Sequence, residues 1–164
     1  MEQLTESEKI NLGTTEIAKR IRQQLKEEFK GCKFSVISEY YSMGSSITIA
    51  LMEANFKVVK DFSDIQEEAL QEYSSGRSFE QLKSMQEDKY QQLNQYVLRK
   101  EFDPRSWCNG VFLTEKGHDL LKRVVAISDY YNYDNSDSMT DYYDVNFSFS
   151  IALGKWDKPL KEVD

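Results

Sequence analysis

The stretch Val145-Asn146-Phe147-Ser148-Phe149-Ser150-Ile151-Ala152-Leu153 alternates apolar with small or polar residues more cleanly than any other part of the chain. Successive side chains on a strand point to opposite faces. The segment therefore reads as a strand with one apolar face, and that face needs a covering layer. Two helical stretches can supply it. Ile17, Ile21, Leu25 and Phe29 recur every fourth residue, with Ala18 beside them and Lys19, Arg20, Arg22, Gln23, Lys26 and Glu27 on the opposite side. Thr14 or Thr15 is suited to cap this helix and Gly31 to end it. Thr114 starts a second helix whose apolar face is Leu120, Leu121, Val124, Val125 and Ile127.

Between these helices lie two more strand patterns. Phe34 and Val36 alternate with Ser35, and Ile47, Ile49 and Leu51 alternate with Thr48 and Ala50, on either side of a Gly44-containing turn. This reads as a hairpin. The middle of the chain changes character. Ser63 with Gln66 and Ser78 with Gln81 have capping-box spacing, and Phe79 to Arg99 offers Leu82, Tyr90, Leu93 and Val97 as an apolar stripe. The expected fold is a single α+β domain over 1–164. It is a two-layer sandwich in which two helices cover a small antiparallel three-stranded sheet, the hairpin plus the C-terminal strand. Residues 14–52 give helix and hairpin, 61–103 a helical insertion, and 113–153 helix and strand. A sheet this small leaves its second face open unless the insertion covers it, and Ser35, Ile37, Thr48, Ser148 and Ser150 line that face.

Composition narrows the function. The 164 residues carry 28 acidic and 21 basic side chains, a net charge of −7. An anionic surface repels phosphate backbones, which disfavours nucleic acid as a partner. Cys32 and Cys108 form no CxxC unit and read as reduced thiols of a cytoplasmic protein. No apolar run reaches the roughly 20 residues of a membrane span. The polar start MEQLTESEKINLG reads as a frayed arm, not a signal peptide.

No reaction chemistry stands out. His118 is the sole histidine and has no evident second group for acid–base work. Glycine-rich phosphate loops and a GxSxG elbow are absent, and Cys108 has no third partner to make it a nucleophile. Leu113-Thr114-Glu115-Lys116-Gly117 resembles a helix start in winged-helix regulators, but a basic recognition helix is lacking. The expectation is a protein that is not an enzyme, with no catalytic residue, metal or cofactor.

The segment from Ser128 to Asp144 is the best candidate for a contact surface. Tyr130, Tyr131, Tyr133, Tyr142 and Tyr143 are interleaved there with Asp134, Asp137 and Asp141, as well as Asp129 and Asp144. Tyrosine offers a rigid ring with a polar tip and is favoured at interfaces. Equally, Asn and Asp make turns, and the rings can pack on the edge of the core.

Thr15-Glu16-Ile17-Ala18-Lys19-Arg20-Ile21-Arg22, then Phe34-Ser35-Val36 and Gly44-Ser45-Ser46-Ile47, resemble the opening of the large polyvalent protein-associated domain family numbered twenty-nine. The stretches Tyr131 to Asp137, Asp141 to Tyr143 and Gly154-Lys155-Trp156-Asp157-Lys158-Pro159 resemble its later part. The resemblance implies an origin in a phage or conjugative element and an accessory role in establishment or counter-defence. It carries no catalytic residue across. The expected partner is a host or defence protein, such as a nucleic-acid-handling complex, met through the acidic, Tyr-rich surface in the manner of an anti-CRISPR or anti-restriction inhibitor. The alternative is a module that stacks single-stranded nucleic acid on the open sheet face.

Overall fold

The computed structural model describes residues 3–73, 76–105, 107–132 and 146–163. Helix α1 (Glu6–Asn11) leads into α2 (Thr14–Glu28) and the hairpin β1 (Lys33–Tyr41) and β2 (Gly44–Glu53). A 3-10 turn at Phe62–Asp64 precedes α3 (Glu67–Tyr73), α4 (Phe79–Glu87), β3 (Gln91–Gln92) and α5 (Gln95–Arg99). Helix α6 (Glu115–Tyr131) and strand β4 (Ser148–Leu153) follow.

The sheet has four strands in the order β1-β2-β4-β3, which corrects the expected three. It is also mixed. β1 and β2 pair antiparallel, but β4 lies parallel to β2, from Ser46 opposite Ser148 to Leu51 opposite Leu153. Period-two alternation is the same in both pairings, so the pattern alone could not fix the direction. Parallel neighbours need a long crossover, and the stretch from the insertion through α6 provides one. The extra strand, β3, pairs only Gln91 and Gln92 with Leu153 and Ala152. Two glutamines carry no alternation to betray it.

Local details differ too. The single helix expected from Phe79 to Arg99 is broken at Lys89, whose φ of 55° no continuing helix tolerates. Ser78 and Gln81 do form a capping box, Ser78 N–H donating to Gln81 Oε1 at 2.8 Å. Ser63 and Gln66 do not, because the chain there makes the 3-10 turn. Gly13 occupies the α2 cap position, and Thr14 turns inward, its hydroxyl 2.6 Å from that of Ser45. The N-terminal stretch is no frayed arm: α1 has its own capping box between Thr5 and Glu8.

The two long helices roof one sheet face as expected. Ile17, Ile21 and Leu25 of α2 and Leu121, Val124 and Val125 of α6 are buried with Ile47, Ile49, Leu51, Phe147, Ile151 and Leu153. Each such side chain contributes about 1.5–3 kcal/mol by leaving water. Ile65, Ala69, Leu70, Leu82 and Phe112 form a second, smaller core beneath α3 and α4.

Two buried polar side chains tie these parts together. Gln86 Nε2 donates to the carbonyls of Lys60 (2.7 Å) and Phe112 (2.8 Å), while Phe112 N–H donates to Gln86 Oε1 (2.8 Å). Glu162 Oε2 accepts from Val58 N–H (2.6 Å) and Val59 N–H (3.1 Å), and its other oxygen lies 3.2 Å from Lys89 Nζ. Arg22, reaching from α2, donates to the Val36 carbonyl at 2.7 Å. An edge strand with free carbonyls invites foreign pairing, and this contact blunts that edge.

Candidate functional site

The sheet face turned away from the helices is open. Ser35 and Ile37 of β1, Thr48 and Ala50 of β2, and Ser150 and Ala152 of β4 floor a groove of about 320 Å3. Tyr90, Gln92 and the turn Gly154 to Asp157 form its walls. Trp156 is 80% exposed, Tyr90 44% and Ile37 43%. Solvent contact on this scale is unusual for rings, which normally contribute their large area to a core. The turn is held in place: Lys155 and Lys158 exchange backbone hydrogen bonds of 2.8 and 3.0 Å. Gly154 there has φ of +57°, and a Cβ would meet Leu160 N at 2.6 Å, so only glycine fits.

Along the sheet, the opposite end is the hairpin tip. Tyr40, Tyr41 and Met43 are exposed there, Met43 by 92%. Tyr41 Oη donates to the Ser45 carbonyl at 3.0 Å and lies 3.3 Å from Ser148 Oγ, which fixes its ring beside the start of β4. Tyr40 Oη accepts from Thr15 N–H at 3.2 Å.

Of the tyrosines and carboxylates expected to form a contact surface, the structure describes Asp129, Tyr130 and Tyr131. Tyr131 is buried, packed edge-on to Tyr130 with ring centroids 5.0 Å apart, and burial pushes its hydroxyl pKa up. Its ring belongs to the core. Tyr130 Oη accepts from Leu4 N–H at 2.7 Å, and Lys9 Nζ sits 4.0 Å above its ring, so it anchors the N-terminal stretch. Tyr133, Asp134, Asp137, Asp141, Tyr142 and Tyr143 lie outside the described residues. The two feet of their segment are clamped together. Asn146 Nδ2 donates to the Tyr131 carbonyl at 3.0 Å, and Phe147 N–H donates to Asn132 Oδ1 at 3.2 Å. Those feet stand at the hairpin-tip end, where Ser45 Oγ donates to the Asn146 carbonyl at 3.4 Å. Asp129 is engaged elsewhere, in a two-pronged pair with Arg99 at 3.0 and 2.8 Å.

His118 and Cys108 have structural surroundings. His118 is buried, its Nε2 2.8 Å from the Lys100 carbonyl and its ring edge-on to Phe102. Desolvation pushes the Cys108 thiol up to about 11, which keeps it protonated and a poor nucleophile at neutral pH. Among the described residues, no three His, Cys, Asp or Glu side chains gather as a metal site would require, and no helix is long and apolar enough to cross a membrane.

Sequence reasoning named Ile37 as lining the open face but missed Trp156 and Tyr90, which rise from it. The available signal was a tryptophan between two charged residues in a Gly–Pro-bounded turn, a place with no core to fill.

A mixed sheet roofed on one side and open on the other, with exposed rings at both ends, defines an α+β domain. The family model of the large polyvalent protein associated domain 29 matches residues 12–118, more than half of the chain, and the chain belongs to that family. The match takes in the helix and hairpin motifs and runs on through the insertion to the first turn of α6; the closing stretch from Tyr131 lies beyond it. Membership links the chain to proteins of phages and mobile elements. No curated protein and no solved structure matches the chain.

Proposed function

We propose that this chain is a non-enzymatic accessory protein of a phage or other mobile element that works by binding a host or defence protein. In this reading it acts in the host cytoplasm as an anti-CRISPR or anti-restriction inhibitor. Family membership supports the mobile-element setting. The observation that carries the binding role is the hairpin tip, where exposed Tyr40, Tyr41 and Met43 stand beside the clamped feet of the acidic, Tyr-rich segment.

The chemistry suits a protein surface. Tyrosine rings supply contact area at low entropic cost, and a flexible methionine fills irregular gaps. Tyr133, Asp134, Asp137, Asp141, Tyr142 and Tyr143 complete the surface in this proposal, with carboxylates facing the basic channel of a nucleic-acid-handling partner. Tyr130 positions the foot of that segment.

The test is inhibition of purified RNA-guided nucleases and restriction endonucleases by the purified chain. One of them is expected to lose cleavage at near-stoichiometric inhibitor. Met43→Asp and Tyr41→Ala are expected to weaken that inhibition about tenfold or more, in line with removal of an interface anchor. Undiminished cleavage across the panel sinks the proposal.

A further inference from the structure

Charge is spread unevenly over this acidic molecule. At the end of the sheet where β1 starts and β4 finishes, Lys33 Nζ lies 3.1 Å from Glu53 Oε2. The Lys33 hydrogen bond above all, with the fields of Lys161 and Lys158 added, holds the Glu53 carboxyl below its ordinary range. Lys155 extends the patch onto the groove wall on one side of Trp156, with Asp157 on the other side. A lysine patch of this kind runs against the chain's net charge of −7, and it borders the groove over which Trp156 and Tyr90 stand.

We propose that the open sheet face binds single-stranded nucleic acid, with bases stacking on Trp156 and Tyr90 and phosphates running to Lys33, Lys155 and Lys158. The floor sets the hydroxyls of Ser35, Thr48 and Ser150 among the apolar side chains Ile37, Ala50 and Ala152, and the rings of Trp156 and Tyr90 stand at its margin. Small hydroxyl residues leave room for a flat ring and offer hydrogen bonds to base edges. Stacking needs an unpaired base face, so the ligand is a single strand and its sequence matters little. Overall acidity lowers non-specific attraction but does not remove a local cluster of cations beside stacking rings. This surface lies at the far end of the sheet from the hairpin tip, and its role goes beyond the protein contact proposed above.

The experiment is titration of the full chain into labelled oligo-dT and oligo-U of about 12 nucleotides, long enough for one binding domain, at low salt. Polarisation and tryptophan fluorescence are both followed. Saturable binding with quenching is expected, and Trp156→Ala is expected to weaken it about tenfold or more, as loss of a stacking ring does, with Trp156→Phe recovering most of it. Lys155→Gln and Lys158→Gln should each lower the slope of log affinity against log salt by about 0.7. Tyr41→Ala, at the other end, should leave oligonucleotide binding unchanged, which separates this proposal from the inhibitor reading. The tighter of the two oligonucleotides identifies DNA or RNA as the source. Absence of any polarisation change at low salt overturns the inference. So does binding that survives Trp156→Ala within about twofold, well short of a lost stacking ring, or a polypeptide that binds through Trp156 while oligonucleotides do not.

Discussion

Neighbouring residues on one strand of this protein live in different worlds. Ile151 of β4 is buried under α2 and α6, while Ser150 beside it floors an open groove. The same holds on β2 for Ile49 and Thr48. One face is built of large apolar side chains, the other of hydroxyls and methyls with rings at its margin. The comparison teaches that stability resides on the roofed face, and that the open face is free to be shaped by contact. Substitution should expose this asymmetry most strongly. Ile151→Ala is expected to cost about 4 kcal/mol, since the cavity it leaves is walled by a rigid core. Ser150→Ala should change stability by less than about 0.5 kcal/mol, the usual range for a surface position. Urea denaturation of the two variants checks both, and near-equal losses would dissolve the distinction.

The seam between the sheet and the helical insertion should be nearly as sensitive. Gln86 donates to the carbonyls of Lys60 and Phe112 and accepts from Phe112 N–H, while the Phe112 carbonyl also accepts from Lys60 N–H at 3.0 Å. Gln86→Ala removes three buried hydrogen bonds at once, at a cost of about 3 kcal/mol. Gln86→Glu should also destabilise, because a carboxylate cannot donate to the carbonyls of Lys60 and Phe112. Thermal melts that leave either variant at the parent Tm would remove Gln86 from the architecture.

These two regions also differ in how far the sequence revealed them. The roofed face was readable because α2, α6, β2 and β4 each follow a strict period, and Ile17, Ile49 and Ile151 fall on it. The direction of β4 was hidden, because alternation is blind to strand polarity. β3 was hidden because Gln91 and Gln92 are held by pairing to Leu153 and Ala152, not by any propensity of their own. Gln86 and Glu162 were invisible for a related reason: their partners are backbone groups of Lys60, Phe112, Val58 and Val59, and a sequence gives every residue the same backbone. The aromatic rings divide in the same way. Tyr131 looked like a contact residue from its company and is in the core; Trp156 stood out only as part of a family-like stretch and is the most exposed ring on the open face.

Cys108 sharpens the contrast from the chemical side. Burial raises its thiol from the ordinary value of 9.0 to about 11, so the folded state holds the proton more tightly than the unfolded chain. Its stabilisation is complete below pH 9 and is lost as the pH climbs towards 11. The loss amounts to roughly 2–3 kcal/mol. Cys108→Val, which has no proton to release, should show a shallower decline in stability over this alkaline range. The half-buried Cys32 should be alkylated in the native protein well before Cys108, and equal rates would contradict the burial of Cys108.

The smallest effect expected belongs to the roof itself. Glu28 of α2 and Arg123 of α6 meet at 2.6 and 3.2 Å across the outer side of the two helices. The Arg123 hydrogen bond, more than any other influence, holds the Glu28 carboxyl below its ordinary value. A carboxyl lowered in the folded state stabilises above its unfolded pKa and loses that contribution as the pH falls through its folded pKa. Both side chains are partly in water, which screens the pair and limits its worth to under about 1 kcal/mol. Arg123→Gln should therefore flatten the acid limb of the stability curve slightly and leave the plateau near neutral pH almost unchanged. If instead this variant unfolded the protein, the roof would be held by its outer charges, and the claim that stability comes from the apolar face beneath it would have to be abandoned.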